Sequence, residues 1–342
     1  MTSLPDKPKS VNDYEISDPA VLIKAPVVSV LMFAYNHGPY LAQAVEGVLA
    51  QQIDFQIELL IGEDFSTDNT REIALRYQSQ NSNLIRVITA DENVGVQRNW
   101  QRLVLAGRGE FLAHLDGDDY WLPGKLKLQL AYMIANPGCA AVYTNAFTVN
   151  EDGSPIGLFN NKGAGRFDLA DMLRRGNFLN TSSMVFRSAL KTTLLNIDGP
   201  FIDYRMHLRH ARAGYLAQLE QPMVGYRVNS VGAMTSTTAS NDIVRKLYWD
   251  AILDVPRHLV TDDDFAHGIT DFLRRVISHA LRTQRWRLLR EWVPTVFKAS
   301  PYGVVRTTLL TLASVIRATC LEFLGYFQRQ PDGRRVRVRH RR

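Results

Sequence analysis

The chain has 342 residues, 46% hydrophobic and 22% charged, so it is long enough for one or two globular domains with a large core. Its net charge of +6 equals that of residues 328–342, which hold seven Arg and one Asp (7 − 1 = +6). The rest of the chain is therefore nearly neutral, which argues against a nucleic-acid groove and hence against a nucleic-acid partner.

Cysteine usage and the N-terminal sequence predict a cytoplasmic protein. Cys139 and Cys320 have neither paired nor metal-ligand spacing, which favours a reducing compartment. Residues 1–26 lack the apolar core of a signal peptide. No uncharged apolar run approaches the ~18–20 residues that span a bilayer. The longest candidate, 307–316, lies between Arg306 and Arg317.

The chain in order predicts a loose N-terminal arm, residues 1–25, and then an α/β domain, residues 26–238. Strands are expected where short apolar runs rich in β-branched residues occur, and helices where apolar residues recur at helical spacing. The predicted strands are 27–33, 57–61, 84–89 and 111–115. The predicted helices are 40–51, one that ends near 80, and one that opens at 93–99 and ends near 106.

This alternation indicates a doubly wound, mainly parallel sheet flanked by helices, a Rossmann-like α/β fold. Ligands of such sheets bind at the carboxyl ends of the strands. Polar residues follow three of the predicted strands, so we expect them to meet at one edge of the sheet. They are Tyr35 and Asn36; Glu63 and Asp64; and the acidic turn, residues 116–119.

The acidic turn reads Asp116-Gly117-Asp118-Asp119. Taken alone it favours an ordinary surface turn, since Asp and Gly are common turn formers. Its position beside the two other clusters favours a functional site instead. Three carboxylates at the end of a buried strand need neutralisation, which Mg²⁺ or Mn²⁺ shared with substrate phosphates would provide. Gly117 would allow the backbone to turn tightly.

Two common nucleotide-binding motifs are missing. The first predicted strand is not followed by Gly-x-Gly-x-x-Gly, and the chain contains no Walker-type Gly-Lys-Ser/Thr loop. A dehydrogenase and a P-loop enzyme are therefore disfavoured. A nucleotide bound here would be held by acids and a metal ion.

Four short motifs occur in a fixed order. They are Val28-Ser29-Val30 with Tyr35-Asn36; residues 63–70; Asn93, Gly95, Arg98 and Asn99; and Asp116, Asp118 and Asp119 with Trp121. Together they resemble the family 2 glycosyltransferases of the GT-A fold, of the bacterial cell-surface polysaccharide type, over about residues 26–235. The resemblance implies an enzyme that moves a sugar from a nucleotide-diphospho-sugar, with UDP as the expected nucleotide and Mg²⁺ or Mn²⁺ as cofactor.

The resemblance also implies roles for single residues. Ala34, Tyr35 and Asn36, together with Glu63 and Asp64, would line the nucleoside pocket. Asp116, Gly117 and Asp118 would contact the donor, and Asp118 and Asp119 the metal ion. Arg98 would approach the phosphates or the sugar, with a structural surface arginine as the alternative. Two positions depart from the family pattern, because Glu63 replaces an Asp and Phe65 a Gly.

The second half of the resemblance supplies the general base. Residues 180–187 are expected to form a strand beside the donor sugar, and residues 202–210 to open a helix. The family begins this helix with an acidic pair, whereas here Ile202 precedes a single acid, Asp203. An inverting transfer needs one base to take the proton of the acceptor hydroxyl. Asp203 is assigned that role, with a helix N-cap as the alternative.

The segment 222–229 resembles the closing strand and loop of the family. Asn229 stands where the family often has a His, which would weaken a contact to the diphosphate or metal. Arg227 would then contribute more, or it is structural. His207 and His210 are expected to contact the acceptor or lie on the helix surface. Residues 262–264, three consecutive Asp, are expected to begin a helix rather than bind a metal.

A helical C-terminal region, 239–327, and a basic tail, 328–342, complete the predicted organisation. Residues 304–327 are amphipathic. Together with the tail they suit an anionic membrane surface, the alternative being a last helix packed on the core. The apolar face consists of Val305, Leu309, Leu312, Ile316, Cys320, Phe323 and Phe327, and the opposite face of Thr307, Thr311, Ser314 and Ala318.

The predicted function is inverting, metal-dependent glycosyl transfer to a hydroxyl of a glycan or lipid-linked acceptor. The predicted location is cytoplasmic, on the inner face of the membrane. One rival is a nucleotidyltransferase, which needs a Gly-rich, Lys/Arg-bearing loop after the first strand that residues 34–40 lack. The other is a catalytically inactive nucleotide-sugar-binding module of an envelope assembly, which the changes at Ile202 and Asn229 would suit.

Overall fold

The computed structural model describes residues 15–197, 199–228 and 238–325, without the side chains of 238–240 and 321–325. Over these ranges the chain forms one mixed sheet with helices on both faces. The strands are β1 (Glu15–Ile16), β2 (Val28–Ala34), β3 (Ile57–Glu63), β4 (Ile85–Ile88), β5 (Phe111–Asp116), β6 (Tyr120–Trp121), β7 (Cys139–Val149), β8 (Pro155–Leu158), β9 (Gly165–Phe167), β10 (Val185–Arg187) and β11 (Tyr215–Arg227).

The helices before residue 238 lie among the strands, and those after it follow one another without a strand between them. They are α1 (Gly38–Leu49), α2 (Thr70–Gln80), α3 (Gly95–Ala106), α4 (Lys125–Ala135), α5 (Leu169–Arg175), α6 (Lys191–Leu195), α7 (Asp203–Ala213), α8 (Thr238–Leu253), α9 (Asp262–Thr283), α10 (Arg287–Ala299) and α11 (Val304–Gly325).

The first half of the sheet is parallel, with β4, β3, β2 and β5 as successive neighbours. Every residue of β2 and β3 is buried, as expected for parallel strands covered on both faces. The four strands predicted from the sequence correspond to these four. The prediction of a mainly parallel sheet flanked by helices is therefore confirmed.

The second half of the sheet reverses direction. β10 is antiparallel to β5 on one side and to β7 on the other, and β11 runs parallel to β7. β6 closes this edge against β11. Since β10 lies next to β5, the residues that precede β10 lie beside the acidic end of β5.

The C-terminal helices share a hydrophobic core with the α/β domain. Trp249 of α8, Phe272 of α9 and Trp292 of α10 belong to the same buried cluster as Trp100 of α3 and Tyr204 of α7. The opposite face of the sheet packs on α1, α2 and α4. The predicted helical C-terminal region is confirmed over its described part, whereas the basic tail, 328–342, lies outside the described residues.

The predicted N-terminal arm contains a short strand. β1 pairs antiparallel with β4, so the prediction of a loose arm over 1–25 is wrong at Glu15–Ile16, and residues 1–14 lie outside the described residues. The physical reason is a buried ion-pair network, in which Arg86 contacts Glu15 at 2.7 Å and Glu58 at 2.9 Å. A buried guanidinium needs such partners.

The predicted strand 180–187 is also wrong in its first half. Thr181–Ser183 is a 3₁₀ turn, and only Val185–Arg187 is a strand. The hydroxyl of Ser183 donates to the carbonyl of Asn180 at 2.7 Å. Such local bonds between a hydroxyl and the backbone compete with strand pairing.

The structure decides two further alternatives. Thr261 and Asp264 form a reciprocal capping box, so the three Asp at 262–264 begin α9, as predicted. His207 and His210 are buried, so the expectation of a helix-surface position is wrong. Both rings pack against aromatic side chains, His207 on Tyr143 and His210 on Phe186.

Candidate active site

The three polar clusters meet at one edge of the sheet because of the strand register. Phe33 of β2 pairs with Asp116 of β5, and Ala34 pairs with Glu63 of β3. Residues just beyond these pairs therefore lie side by side at the carboxyl ends of adjacent parallel strands. The predicted gathering of the clusters is confirmed.

The carboxylates of Glu63 and Asp64 both accept hydrogen bonds from other groups of the protein. Glu63 is fully buried and accepts from the backbone N of Ser66 at 2.6 Å, from Arg71 at 2.7 Å and from Thr89 at 2.8 Å. Burial opposes its ionisation, but these donors outweigh burial and lower its pKa. Asp64 accepts from the backbone N of Val94 and of Gly95, both at 2.9 Å. The two acids thus fix the loops that follow β3 and β4 at this edge of the sheet.

The loops after β2 and β3 are joined by hydrogen bonds, and each loop contains one residue with a left-handed backbone conformation. Asn36 has φ 54°, and its Oδ1 accepts from the backbone N of Thr67 at 2.8 Å. Phe65 has φ 57°, the conformation that the family's Gly adopts without strain. Phe65 therefore adopts a left-handed backbone conformation that its side chain disfavours. Its ring and that of Tyr35 are both exposed, each at 42%.

The acidic turn is held against the end of β2. The backbone N of Gly117 donates to the carbonyl of Phe33 at 2.7 Å. A Cβ at position 117 would lie 2.8 Å from that carbonyl oxygen and 2.9 Å from Nδ1 of His37. Only glycine fits this approach without displacing the backbone.

Asp116 is the accessible acid of the turn. Its side chain is 41% exposed. Oδ1 accepts from Nε2 of His114 at 3.0 Å, and Oδ2 accepts from the hydroxyl of Ser182 at 3.1 Å. Desolvation favours its neutral form, but His114, His37 and Ser182 outweigh desolvation and lower the pKa of Asp116. This carboxyl is therefore an anion at neutral pH.

Asp119 is the buried acid of the turn. Oδ1 accepts from the backbone N of Arg227 at 2.8 Å, and Oδ2 is buried without a hydrogen-bond partner in the described residues. Burial, together with the charges of Asp118 and Asp116, raises the pKa of Asp119 well above its ordinary value. A bound cation would stabilise such a carboxylate, so the oxygens of the turn suit a hard divalent metal.

Asp118 is half-buried beside Asp119. The described residues contain no preformed group of three or more His, Cys, Asp or Glu side chains that could hold a metal ion. Mg²⁺ commonly takes one or two protein carboxylates together with oxygens of the substrate and of water, and Asp118 and Asp119 would suit the protein's part of such a site.

Arg227 is structural. Its guanidinium donates to the carbonyl of Asp118 at 2.9 Å, the carbonyl of Asn150 at 2.9 Å and Oε1 of Gln43 at 2.8 Å. It is buried and fixes the acidic turn to the end of β7. Asn229 lies outside the described residues.

Asp203 is the first residue of α7, and the N-cap position belongs to Ile202. Its Oδ1 accepts from Nδ2 of Asn177 at 2.9 Å and from the backbone N of Tyr204 at 2.8 Å. Its Oδ2 accepts from the hydroxyl of Thr181 at 3.1 Å. The carboxylate is therefore held in one orientation by neutral donors.

A short segment links the two acids. Thr181 contacts Asp203, and its neighbour Ser182 contacts Asp116. Since successive Cα atoms lie about 3.8 Å apart, Asp116 and Asp203 are both held by the same short turn. No role is predicted from sequence for Thr181, Ser182 or Asn177. The first two lie in a segment that the resemblance had marked, whereas Asn177 lies in a loop without a motif.

Arg98 lies in the first turn of α3 and is exposed. It is the least constrained member of the predicted set. Its neighbours Asn99 and Arg102 are buried, and Asn99 donates to the carbonyl of Gly62 at 2.8 Å. The motif that contains these residues thus also secures α3 to β3.

The fold and the acidic strand ends define the class, a GT-A α/β domain. Residues 29–194, slightly less than half of the chain, match the family described as glycosyl transferase family 2. An uncharacterised protein of Mycobacterium tuberculosis is 32% identical over 65% of this chain and 64% of its own length. The chain therefore spans slightly less than two thirds of that relative's length.

Two named proteins are also similar to parts of the chain. The hyaluronan synthase of Pasteurella multocida is 32% identical over 39% of this chain and 13% of its own length. The crystal structure of S. aureus TarS 1-349 in complex with UDP-GlcNAc has a TM-score of 0.60 and 19% identity, and covers 89% of this chain and 93% of its own. At that identity the likeness concerns the fold alone.

Proposed function

We propose that the chain transfers a sugar from a UDP-linked donor to a hydroxyl of a glycan or lipid-linked acceptor, with inversion at the anomeric carbon. The observation that carries this proposal is the turn Thr181–Ser183, in which Thr181 donates to Asp203 and its neighbour Ser182 donates to Asp116. An inverting displacement needs a single base close to the donor's anomeric carbon. The shared turn, which brings Asp203 near Asp116, supports that arrangement.

The donor would bind at the exposed edge of the acidic turn. Asp116 is ionised and accessible, so it can accept hydrogen bonds from ribose hydroxyls. The exposed rings of Tyr35 and Phe65 and the amide of Asn36 offer stacking and hydrogen bonding to a base. Glu63 and Asp64 would act by shaping the pocket, because their oxygens already accept bonds from the protein. The UDP-GlcNAc bound by TarS supports a UDP-type donor.

Asp118 and Asp119 would hold Mg²⁺ or Mn²⁺. The unpartnered buried Oδ2 of Asp119 and its raised pKa support a cation there. A divalent ion supplies charge neutralisation for a diphosphate leaving group. The acids of this turn would bind the ion, and Arg227 would keep the turn in place through its contacts to Asp118 and Asp119.

Asp203 would remove the proton of the acceptor hydroxyl. Oδ1 already accepts two hydrogen bonds, whereas Oδ2 accepts one, so Oδ2 keeps a lone pair for the incoming O–H. As the acceptor oxygen bonds to the anomeric carbon, the bond to the phosphate oxygen breaks. The proton passes to Oδ2, and the diphosphate leaves with the electron pair.

We infer the acceptor and the cellular location of the enzyme from the chemistry of the reaction and from the relatives, and not from a contact in the structure. Arg98 is exposed near the carboxyl edge of the sheet and would approach the donor phosphates or the sugar. The hyaluronan synthase among the relatives supports a polysaccharide acceptor. We infer that the enzyme works in the cytoplasm, at the inner face of the membrane, where lipid-linked acceptors present their hydroxyls.

The test is turnover of a panel of UDP-sugars by the purified chain with a pool of glycan and lipid-linked acceptors, followed as UDP release. We expect release that requires Mn²⁺ or Mg²⁺ and stops with EDTA. The product of an α-linked donor should be β-linked by NMR. Binding of UDP without turnover of any donor would reject the proposal and favour the inactive binding module instead.

A further inference from the structure

Helix α11 is packed with its polar face inward. Thr307, Thr311 and Ser314 are buried against the body of the protein. Ser314 donates to Oδ1 of Asp271 on α9 at 3.2 Å, and Thr307 shares a 2.8 Å hydrogen bond with Ser300. The predicted polar face is therefore the packed face, the reverse of an ordinary surface helix.

The apolar face of α11 points outward. Its large side chains are between 53% and 75% exposed. Single exposed apolar residues are common, but a contiguous exposed row on one helix marks an interaction surface. We call this row the apolar face of α11. Its exposed members are Val304, Val305, Leu309, Leu312 and Ile316.

Polar contacts fix this orientation. Arg306 contacts Asp263 at 2.8 Å, and the hydroxyl of Tyr302 donates to the same carboxylate at 3.0 Å. At the other end Arg317 approaches Asp271 at 4.0 Å. Rolling α11 over to bury its apolar face would break these contacts and remove the hydrogen bond that Ser314 donates to buried Asp271. The outward apolar face is thus built into the packing.

We propose that the apolar face of α11, together with the basic tail, binds the chain to an anionic lipid bilayer. The tail, residues 328–342, follows the helix with seven Arg and one Asp. Half-exposed Arg306 and Arg317 flank the apolar face within the helix. Apolar side chains that enter the interface and arginines that meet anionic headgroups are the two signals that stable peripheral binding requires.

The helix lies on the bilayer rather than across it. Arg306 and Arg317 would both fall inside a spanning segment, where an unpaired guanidinium is costly. In the described part of the chain no single helix is long and apolar enough to cross a bilayer. The pair Arg287–Ala299 and Val304–Cys320 meets that criterion only when taken together, and its two helices are bent by 118°.

The test is vesicle flotation of the full chain with phosphatidylcholine alone and with phosphatidylcholine mixed with phosphatidylglycerol. We expect binding to the mixed vesicles that weakens as salt is raised. The triple variant Leu309→Ser, Leu312→Ser and Ile316→Ser should bind the mixed vesicles at least about tenfold more weakly than the wild-type chain does. A chain that ends at residue 327 lacks the basic tail, so it should lose the salt-dependent part of the binding to mixed vesicles.

The matched control removes the same kind of side chain elsewhere. Leu105→Ser, Ile134→Ser and Ile156→Ser replace exposed apolar residues of the α/β domain and should leave vesicle binding unchanged. Both triple variants change exposed positions, so both should fold, which circular dichroism checks. Equal loss of binding in the two variants would overturn the proposal.

A probe on Cys320 reports the face directly. Cys320 is exposed on α11 and Cys139 is buried, so an environment-sensitive dye labels the helix selectively. Mixed vesicles should shift its emission to the blue. The absence of binding by the wild-type chain would overturn the proposal. A second outcome would also overturn it: light scattering shows that the wild-type chain is a dimer and the α11 variant a monomer, while the variant still binds vesicles. The apolar face of α11 would then bind a second copy of the chain.

The proposal does not depend on the catalytic assignment. Flotation and dye emission need neither donor nor acceptor, and the altered residues lie outside the candidate active site. A chain without transferase activity could therefore still pass this test, and an active chain could fail it.

Discussion

Asp116 and Asp119 belong to one turn, yet their surroundings shift their pKa values in opposite directions. His114, His37 and Ser182 overcome desolvation and stabilise the charge of Asp116, whereas burial and the neighbouring acids disfavour the charge of Asp119. Pairs of carboxyls separated in this way commonly divide a task. We propose that the division here is between contact with the donor, by Asp116, and binding of a cation, by Asp119.

Replacing Asp119 with Asn should abolish the metal dependence of donor binding. The amide keeps the shape and can still accept from the backbone N of Arg227, but it cannot neutralise a divalent ion. We expect the affinity for UDP in Mn²⁺ to fall about tenfold or more, with little change in EDTA. Titration calorimetry measures this. Asp152→Asn, at an exposed acid, is the control, and an equal response in both variants would contradict the assignment.

The hydroxyl of Thr181 should affect kcat more than donor affinity. Thr181→Val keeps the shape but removes the donor to Oδ2 of Asp203, so the carboxylate loses its orientation. A misplaced base costs up to about 10²-fold in rate. Thr181→Ser keeps the hydroxyl and should restore most of kcat. Steady-state kinetics of the pair test this, and a change in KM alone would place Thr181 in donor binding.

Asn177 connects Asp203 to a buried histidine. Its Oδ1 is an acceptor, so Nδ1–H of His207 donates to it at 3.2 Å. Burial lowers the pKa of His207 to about 4, which keeps the ring neutral at neutral pH. The amide is thereby fixed with its NH₂ toward Asp203. We infer that Asn177 is a positioning residue for the base.

At the scale of elements, α7 is attached to α8 by one carboxylate. Asp254 contacts Arg205 at 3.0 Å, Arg209 at 3.1 Å and Arg212 at 2.8 Å. Burial opposes its ionisation, but the three guanidiniums lower the pKa of Asp254 to about 2. This contact holds the helix that begins with Asp203.

Asp254→Asn should therefore destabilise the fold in a pH-dependent way. A lowered pKa in the folded state gives stability that is complete above the unfolded pKa, near 4, and is lost as pH falls through 2. The pH-dependent difference from wild type should be about 2 kcal/mol at neutral pH and about half of that at pH 3. Urea unfolding at both pH values measures it. A difference independent of pH would contradict this origin.

The elements that the sequence predicted are those with a local signal. β2, β3 and β5 are apolar runs, and their alternation with helices implied the common edge where Tyr35, Glu63 and Asp116 meet. β1 escaped prediction because its pairing depends on Arg86, which lies far along the chain. The turn at Thr181 escaped because its hydroxyl contacts, rather than an apolar pattern, decide its shape.

The side-chain directions at the site were not predictable. The orientation of Glu63 into the protein is set by Arg71 and Thr89, and no local pattern encodes those contacts. Asn177 orients Asp203 from 26 positions away. The amphipathic pattern of α11 was recognised from the sequence. Which of its faces is packed depends on Asp263 and Asp271 of α9, and so required the structure.

At the scale of the whole molecule, the helices after residue 238 divide into two groups. α8, α9 and α10 contribute Trp249, Phe272 and Trp292 to the core that covers α7. α11 instead packs through small polar side chains such as Thr307 and Ser314. The first group is integral to the fold, and α11 is attached to it.

Two truncations should therefore behave differently. A chain that ends at residue 237 exposes a large part of the core and should not unfold cooperatively. A chain that ends at residue 300 keeps that core, so it should unfold cooperatively and bind UDP as the full chain does. Circular dichroism and calorimetry distinguish them. Cooperative unfolding of the shorter chain would contradict a shared core.

We propose that Asp203 acts as the base and has no part in holding the donor. The direct measurement compares Asp203→Asn with wild type in kcat for sugar transfer and in the dissociation constant for UDP with Mn²⁺. We predict a fall in kcat of about 10³-fold, within the range for loss of a general base, with UDP affinity unchanged. Transfer at the wild-type rate, or loss of UDP binding together with activity, would contradict the account.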